Sequence, residues 1–198
     1  MDIKNHKPLK VSRLQAGAGV HQPYLFSPGP VRLTSPAIEV MTDLRLVAAA
    51  TIDAEVQIDR ANQIMIARGV RSLIVVDSAG EIVGLLTARD IQGERPMRAV
   101  RARGVTHEEL RARDVMTPRE DVEVLELADI LRAEVGHVLE TLKQSGRQHA
   151  LVVDHEAGTG RQMARGIFSI SQIARQLGVA IHHTEVARTF AEIEAAIA

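Results

Sequence analysis

The sequence contains no cysteine and no tryptophan, and only one tyrosine and three phenylalanines in 198 residues. Without cysteine there is no disulfide, no thiolate nucleophile and no cysteine-based zinc or iron–sulfur site. With so few rings the core must be aliphatic, and stacking platforms for single-stranded nucleic acid are nearly excluded, because they need several exposed aromatic side chains. The net charge is −1 with histidine neutral, so no global field draws the chain to nucleic acid or anionic membranes. No apolar run approaches the ~20 residues that span a bilayer. Met1 to Pro8 lacks the apolar core of a secretory signal, and a cytoplasmic location is the expectation. Gly-x-Ser-x-Gly, the phosphate loop, the dinucleotide fingerprint and His-Glu-x-x-His are all missing, which points away from an enzyme. What remains is ordinary for a globular chain, with 45% apolar and 25% charged residues.

The chain says nearly the same thing twice. Gly69-Val70-Arg71-Ser72-Leu73-Ile74-Val75-Val76-Asp77 recurs as Gly146-Arg147-Gln148-His149-Ala150-Leu151-Val152-Val153-Asp154. Each copy has a Val-Met-Thr upstream, at Val40 to Thr42 and Val115 to Thr117. Each has a Gly-x-x-Thr/Ser downstream, at Gly84 to Thr87 and Gly166 to Ser169. A period far longer than that of solenoid repeats implies two copies of one α/β unit packed together. Clefts between such halves are where a ligand would sit.

Five segments follow. Residues 1–30 read as an irregular arm, broken by prolines and glycines, with Leu25 and Phe26 able to pin it down. Residues 31–92 form the first unit. It has a short strand over 46–52, Asp53 as a helix cap, and a helix with Ile58, Ala61, Ile64 and Met65 on one face. Gly69 ends that helix, and two hairpin strands follow, Ser72 to Asp77 and Ile82 to Thr87. A second helix begins near Thr87 or Ala88. Residues 93–113 are an Arg-rich linker. Residues 114–177 repeat the β-α-β-β-α order, with a strand over 125–130, a helix carrying Leu131, Val135, Val138, Leu139 and Leu142, and a second hairpin. Residues 178–198 hold a helix that Thr184 could cap, with Val186, Phe190, Ile193 and Ile197 in a stripe that needs something to pack on.

Thr87 and Asp90 carry the candidate chemistry. A buried strand delivers a hydroxyl, and three residues on, across the first helical turn, stands a carboxylate. A hydroxyl, an acceptor for a vicinal diol and a nearby helix N-terminus together suit a ribose bearing a phosphate. The alternative on spacing alone is that the pair caps its own helix.

The repeated pattern, over about residues 35–177, resembles the CBS domain, named for cystathionine β-synthase. Val40-Met41-Thr42, the helix ending at Gly69, the strand to Asp77 and Gly84-Leu85-Leu86-Thr87-Ala88-Arg89-Asp90-Ile91 carry the likeness in the first copy. Asp114-Val115-Met116-Thr117-Pro118, Ala150 to Asp154 and Gly166 to Ile173 carry it in the second. The resemblance implies an α+β fold of two β-α-β-β-α units in a pseudo-two-fold pair. It implies a non-enzymatic regulatory module that requires no cofactor and binds AMP, ADP, ATP or S-adenosylmethionine, with a homodimer and an unidentified protein partner. It implies phosphate or ribose contacts from Thr87 and Asp90, a frame for adenine at Thr51 and Ile52, and a phosphate-facing Arg71. In the second copy Ser169 keeps the hydroxyl, but Gln172 replaces the carboxylate and Gln148 replaces Arg71. A neutral amide loses the charge-assisted part of a hydrogen bond, so the second site is expected to be the weaker. The rival reading is a ligand-free interaction scaffold, worked by the arm and the terminal helix.

Two further features read as surface. Glu94, Glu108, Glu109 and Asp114 offset the linker arginines, so the linker is expected to be a solvated, partly helical connector rather than a nucleic-acid face. His182 and His183, with His149, Asp154 and His155, have no spacing that converges on a metal.

Overall fold

The computed structural model describes residues 31–179 and 186–197. The arm over 1–30, the His182-His183 pair and the Thr184 cap lie outside the described residues.

The first half comprises β1 (Thr42–Asp43), β2 (Thr51–Asp53), α1 (Ile58–Arg68), β3 (Ser72–Val76), β4 (Ile82–Thr87) and α2 (Ala88–Gln92). Helices α3 (Arg95–Arg103) and α4 (Ala112–Val115) connect it to the second half. There the order recurs as β5 (Thr117–Pro118), β6 (Val124–Glu126), α5 (Leu127–Ile130), α6 (Val135–Ser145), β7 (His149–His155), β8 (Gln162–Ser169) and α7 (Ile170–Gln176). Helix α8 (Val186–Ile197) ends the chain.

Helix α1 buries Ile58, Ala61 and Met65 at spacings of three and four, and Gly69 ends it at φ 64°, the left-handed conformation glycine adopts without a Cβ penalty. Helix α6 repeats this with Val135, Val138, Leu139 and Leu142, ended by Gly146 at the same φ. The hairpins share one register too: Ser72 opposes Thr87 and Ile74 opposes Leu85, as His149 opposes Ser169 and Leu151 opposes Ile167. Two mixed sheets result, in the orders β2-β3-β4-β5 and β1-β8-β7-β6. Each packs one face on its own helices. Ile58, Met65, Leu73 and Leu86 fill the first core, and Val138, Leu142, Phe168 and Ile173 the second. Between the two sheets lies a third cluster of Ile74, Leu85 and Leu151, flanked by Val122, Val124 and Ile167. The fold is the expected α+β pseudo-two-fold pair.

The halves exchange their entry segments. Strand β1 pairs with β8, Thr42 opposite Ile167, and β5 pairs with β4, Leu85 opposite Thr117. This explains the glycine of each Gly-x-x-Thr/Ser. A Cβ on Gly84 would lie 2.5 Å from the Thr117 carbonyl oxygen and 2.7 Å from Met116 Sδ, and one on Gly166 would strike the Met41 side chain. The Met of one half therefore seats on the glycine of the other.

Several local expectations are corrected. The strand expected over 46–52 is Thr51–Asp53. The Leu46 and Val47 amides both donate to the Asp43 carbonyl, so that stretch turns back, leaving Leu46 exposed. Asp53 does not cap α1; its carboxylate accepts the Glu55 amide at 2.7 Å in a turn that delays the helix to Ile58. Of 125–130, only the first two residues are extended, and Leu127–Ile130 closes a helical turn. Leu131 precedes α6 and is exposed. The linker is partly helical as expected, and its arginines pair locally: Arg103 with Asp114, Arg98 with Glu94, Arg113 with Glu55. Of the apolar stripe of α8, Phe190 and Ile193 are buried in the second core.

Candidate functional site

Thr87 ends β4 and caps α2. Its hydroxyl accepts the Asp90 amide at 3.3 Å, and Asp90 Oδ2 accepts both the Thr87 amide at 2.8 Å and the Thr87 hydroxyl at 2.7 Å. This is a capping box, with two otherwise unpaired amides satisfied reciprocally. Asp90 Oδ1 faces Arg95 Nη1 at 3.2 Å, and the carboxylate is only 12% exposed. The same Arg95 nitrogen donates to the Val115 carbonyl at 2.9 Å and to Thr117 Oγ1 at 3.2 Å. The capping alternative is thus realised, and the carboxylate is also tied through one guanidinium to the strap that leads into the second half.

The Thr87–Asp90 turn opens onto a cleft of about 980 Å³. Leu85, Thr87, Asp90, Arg95 and Arg98 form the wall on one side. The other wall is the strap from Thr117 through Val122 to Glu123, and the turn from Gly146 to His149 that follows α6. The wall is mixed in charge. Arg98 pairs with Glu94 at 2.6 Å and Arg147 with Glu123 at 3.1 Å, while Arg89, Glu120 and Asp121 also line the opening.

The cleft therefore brings Thr87 and Asp90 together with Gln148, and its lining does not include Thr51, Ile52 or Arg71. Ile52 is buried in the first core; Thr51 and Arg71 are exposed. Ser169 and Gln172 are not part of the lining of this cleft. Gln172 Oε1 accepts the Thr42 hydroxyl at 3.0 Å, and the Ser169 hydroxyl lies 3.0 Å from that of Ser171. The second copy thus lacks the reciprocal box found at Thr87 and Asp90 among the described residues. Sequence reasoning treats Arg95 only as one of the linker arginines, some of which could reach a bound phosphate, and misses Arg147, His149 and the strap over 117–123. The signal available was the duplication itself: if the Val-Met-Thr segments cross over, each cleft must combine the Thr/Ser turn of one half with the entry strap of the other.

His149 opens β7 on the second-half wall of the cleft and is 6% exposed. Its Nδ1 has no hydrogen-bond partner among the described residues. Burial, aided by the nearby positive charge of Arg71, pushes its pKa down to about 4, so the imidazole is neutral at neutral pH.

Among the described residues no group of three or more histidine or acidic side chains is placed to hold a metal ion. His155 Nε2 instead meets Glu126 at 3.2 Å, and Asp154 pairs with Arg45 at 3.1 Å. No helix among the described residues is long and apolar enough to cross a membrane.

Residues 37–95 match the family model of the CBS domain. The whole fold is similar to an uncharacterized conserved protein from Pyrococcus horikoshii, at 19% identity and a TM-score of 0.54, covering 78% of this chain and all of that one. It is similar also to a CBS-domain-containing protein from Agrobacterium tumefaciens, at 19% identity and a TM-score of 0.53, covering 73% of this chain and 94% of the other. No curated protein matches this sequence.

Proposed function

We propose that this CBS-domain chain, folded as a tandem pair, is a non-enzymatic regulatory module whose cleft takes an adenosine compound: AMP, ADP, ATP or S-adenosylmethionine. The observation that carries the reading is the meeting, in one cleft of about 980 Å³, of the Thr87–Asp90 turn of one half with the strap and Gly146–His149 turn of the other. That volume falls at the upper end of small-molecule sites. Thr87 and Asp90 take the ribose hydroxyls, and Arg95, Arg98 and Arg147 face the phosphate end.

The geometry adds a step. Asp90 Oδ2 already accepts two hydrogen bonds from Thr87, and Oδ1 is ion-paired with Arg95 at 3.2 Å. The free lone pairs of Oδ1 are the ones a ribose diol would take, so the diol competes with Arg95 for that oxygen. Arg95 then turns to the ligand's anionic end, and its hold on Val115 and Thr117 changes with it. Ligand binding is in this way felt by the strap that joins the halves, and it shifts the conformational balance by its differential affinity for the two states. By the pseudo-two-fold, Arg71 is the counterpart of Gln148 and belongs with Ser169 and Gln172 in the weaker second site. A homodimer, a cytoplasmic location and a regulated partner protein complete the reading.

The scaffold alternative gave the work to the arm and the terminal helix; Phe190 and Ile193 of that helix are buried in the chain's own core, which weighs against the helix half of that reading. Thermal unfolding with each of the four compounds separates the two. A ligand at a hundred times its Kd stabilises by about 2.7 kcal/mol, which raises Tm by roughly 5–10 °C in a chain of this size. No shift with any of the four compounds would overturn the sensor and leave the scaffold.

A further inference from the structure

The two entry segments occupy equivalent places in the pair but are held in different ways. The strand pairings align Thr42 with Thr117, Asp43 with Pro118, Arg165 with Val83 and Asp154 with Asp77. The strap after β5 lines the open cleft, with Glu120 where the other has Arg45. The strap over 42–47 is tied to the second half by charge. Asp43 pairs with Arg165, Arg165 Nε lies 3.7 Å from Asp154 Oδ2, and that oxygen accepts Arg45 Nη2 at 3.1 Å. The Asp43 and Asp154 side chains are 20% exposed and that of Arg165 14%, so salt and water screen them less than surface pairs. The Leu44 amide donates to the Arg165 carbonyl at 3.0 Å, and the Thr42 hydroxyl to Gln172 Oε1 at 3.0 Å. The charges have no first-half equivalent. Pro118 and Val83 are uncharged, and Asp77 serves its own hairpin turn, accepting the Ala79 and Glu81 amides at 2.9 Å. Strand β7 runs on through His155, so Asp154 sits in the strand and meets the strap.

We propose that the strap over 42–47 is a latch that holds the second adenosine site shut, and that the Asp43–Arg165–Asp154–Arg45 network is its fastening. This rests on the adenosine reading above, in which Ser169, Gln172 and Arg71 form that site. In the first half a guanidinium stands between the strap hydroxyl of Thr117 and the Asp90 carboxylate, and it can swing away. In the second half the strap hydroxyl of Thr42 bonds Gln172 directly. A ligand that reaches Gln172 has to displace Thr42. Thr42 does not leave alone, because Asp43 and Leu44 beside it are both fastened to Arg165, one by its side chain and one by its amide. The second copy is therefore weak for two reasons: an amide where a carboxylate stood, and a strap already bonded to that amide.

Two measurements on the parent and on Arg165→Gln test this together. The first is amide hydrogen exchange without ligand. Loss of the charged partner should let the strap open locally, so the Leu44 amide gains at least about tenfold in rate over whatever the amides of α1 gain. The second is calorimetric titration with AMP, ADP, ATP and S-adenosylmethionine. The parent is expected to show one strong event. The variant keeps that event at the parent's affinity, since Arg165 is not in the lining of the first cleft. It also gains a second event, or tightens a weak one by about tenfold. Should Arg165→Gln fail to fold with Asp43 left unpaired, Asp43→Asn/Arg165→Gln removes both charges and takes its place. The latch is overturned if Leu44 exchange rises no more than that of α1, if the loosened variant gains no second-site affinity, or if the parent already binds two equivalents alike. If neither protein binds any of the four compounds, the adenosine reading has failed and the latch falls with it as a gate, while the exchange rates separately tell whether the strap was tied.

Discussion

Acidification from pH 7 to pH 5 should weaken the fold through one side chain. His149 is neutral in the folded chain because burial, and then the charge of Arg71, hold its pKa near 4 against an ordinary 6.5. In the unfolded chain it takes a proton near 6.5. Between those two values the unfolded state binds more protons, so stability falls as pH falls. The contribution is complete above about pH 6.5, and about 2 kcal/mol of it is lost between pH 7 and pH 5. The full gap down to pH 4 is worth about 3 kcal/mol. Urea unfolding of the parent and of His149→Asn at pH 7, 6 and 5 reads the effect. Every other residue is common to both proteins, so the difference between the two curves isolates position 149. Asp43, held low by its hydrogen bond to Arg165, contributes stability that is lost only at still lower pH, below the ordinary carboxylate range. Parallel loss of stability in parent and variant over this window would refute the buried, neutral assignment.

The exchanged entry segments make a second prediction. Gly84→Ala should destabilise by about 2 kcal/mol, because the added methyl meets a backbone carbonyl of β5 that has no side-chain freedom to yield. Gly166→Ala meets first the Met41 side chain, which is flexible and can turn aside, and should cost less by urea unfolding; equal costs would contradict this distinction between a backbone and a side-chain obstacle. Gln172→Asp should restore a capping box with Ser169 and raise stability by about 0.5–1 kcal/mol, offset in part by the lost Thr42 contact. The same variant should tighten or create a second binding event in calorimetry, and an unchanged stoichiometry and affinity would count against reading Gln172 as the weakness of that copy.

The duplicated core was legible because each buried position is written twice. Ile58, Ala61 and Met65 announce α1, and Val135, Val138 and Leu142 announce α6, each closed by a glycine that ends a helix in the left-handed region. The hairpin strands were legible for the same reason, down to Ile82–Thr87. The entry strands were not. Thr42–Asp43 and Thr117–Pro118 are two residues long, and their partners β8 and β4 are set by crossover, not by local pattern. That crossover decides who meets whom at the cleft. Reading one half in isolation groups Thr87 and Asp90 with Thr51, Ile52 and Arg71, whereas the folded chain sets them against Gln148 and His149. The turn at Leu46 and Val47 was hidden too, since an apolar pair reads as strand until the Asp43 carbonyl is seen to capture both amides. Asp90 shows the limit of spacing arguments most clearly: the same two residues serve as a helix cap and as the polar corner of the cleft.

Isothermal titration calorimetry with AMP, ADP, ATP and S-adenosylmethionine, run on the parent and on Asp90→Ala, bears most directly on the adenosine-sensor reading. The Ala variant loses the box that starts α2, at a cost of about 1 kcal/mol, so circular dichroism must first establish that it is folded. The account predicts saturable binding of at least one compound by the parent and its loss, or a large weakening, in the folded variant. Binding of that compound by Asp90→Ala as tightly as by the parent would contradict it.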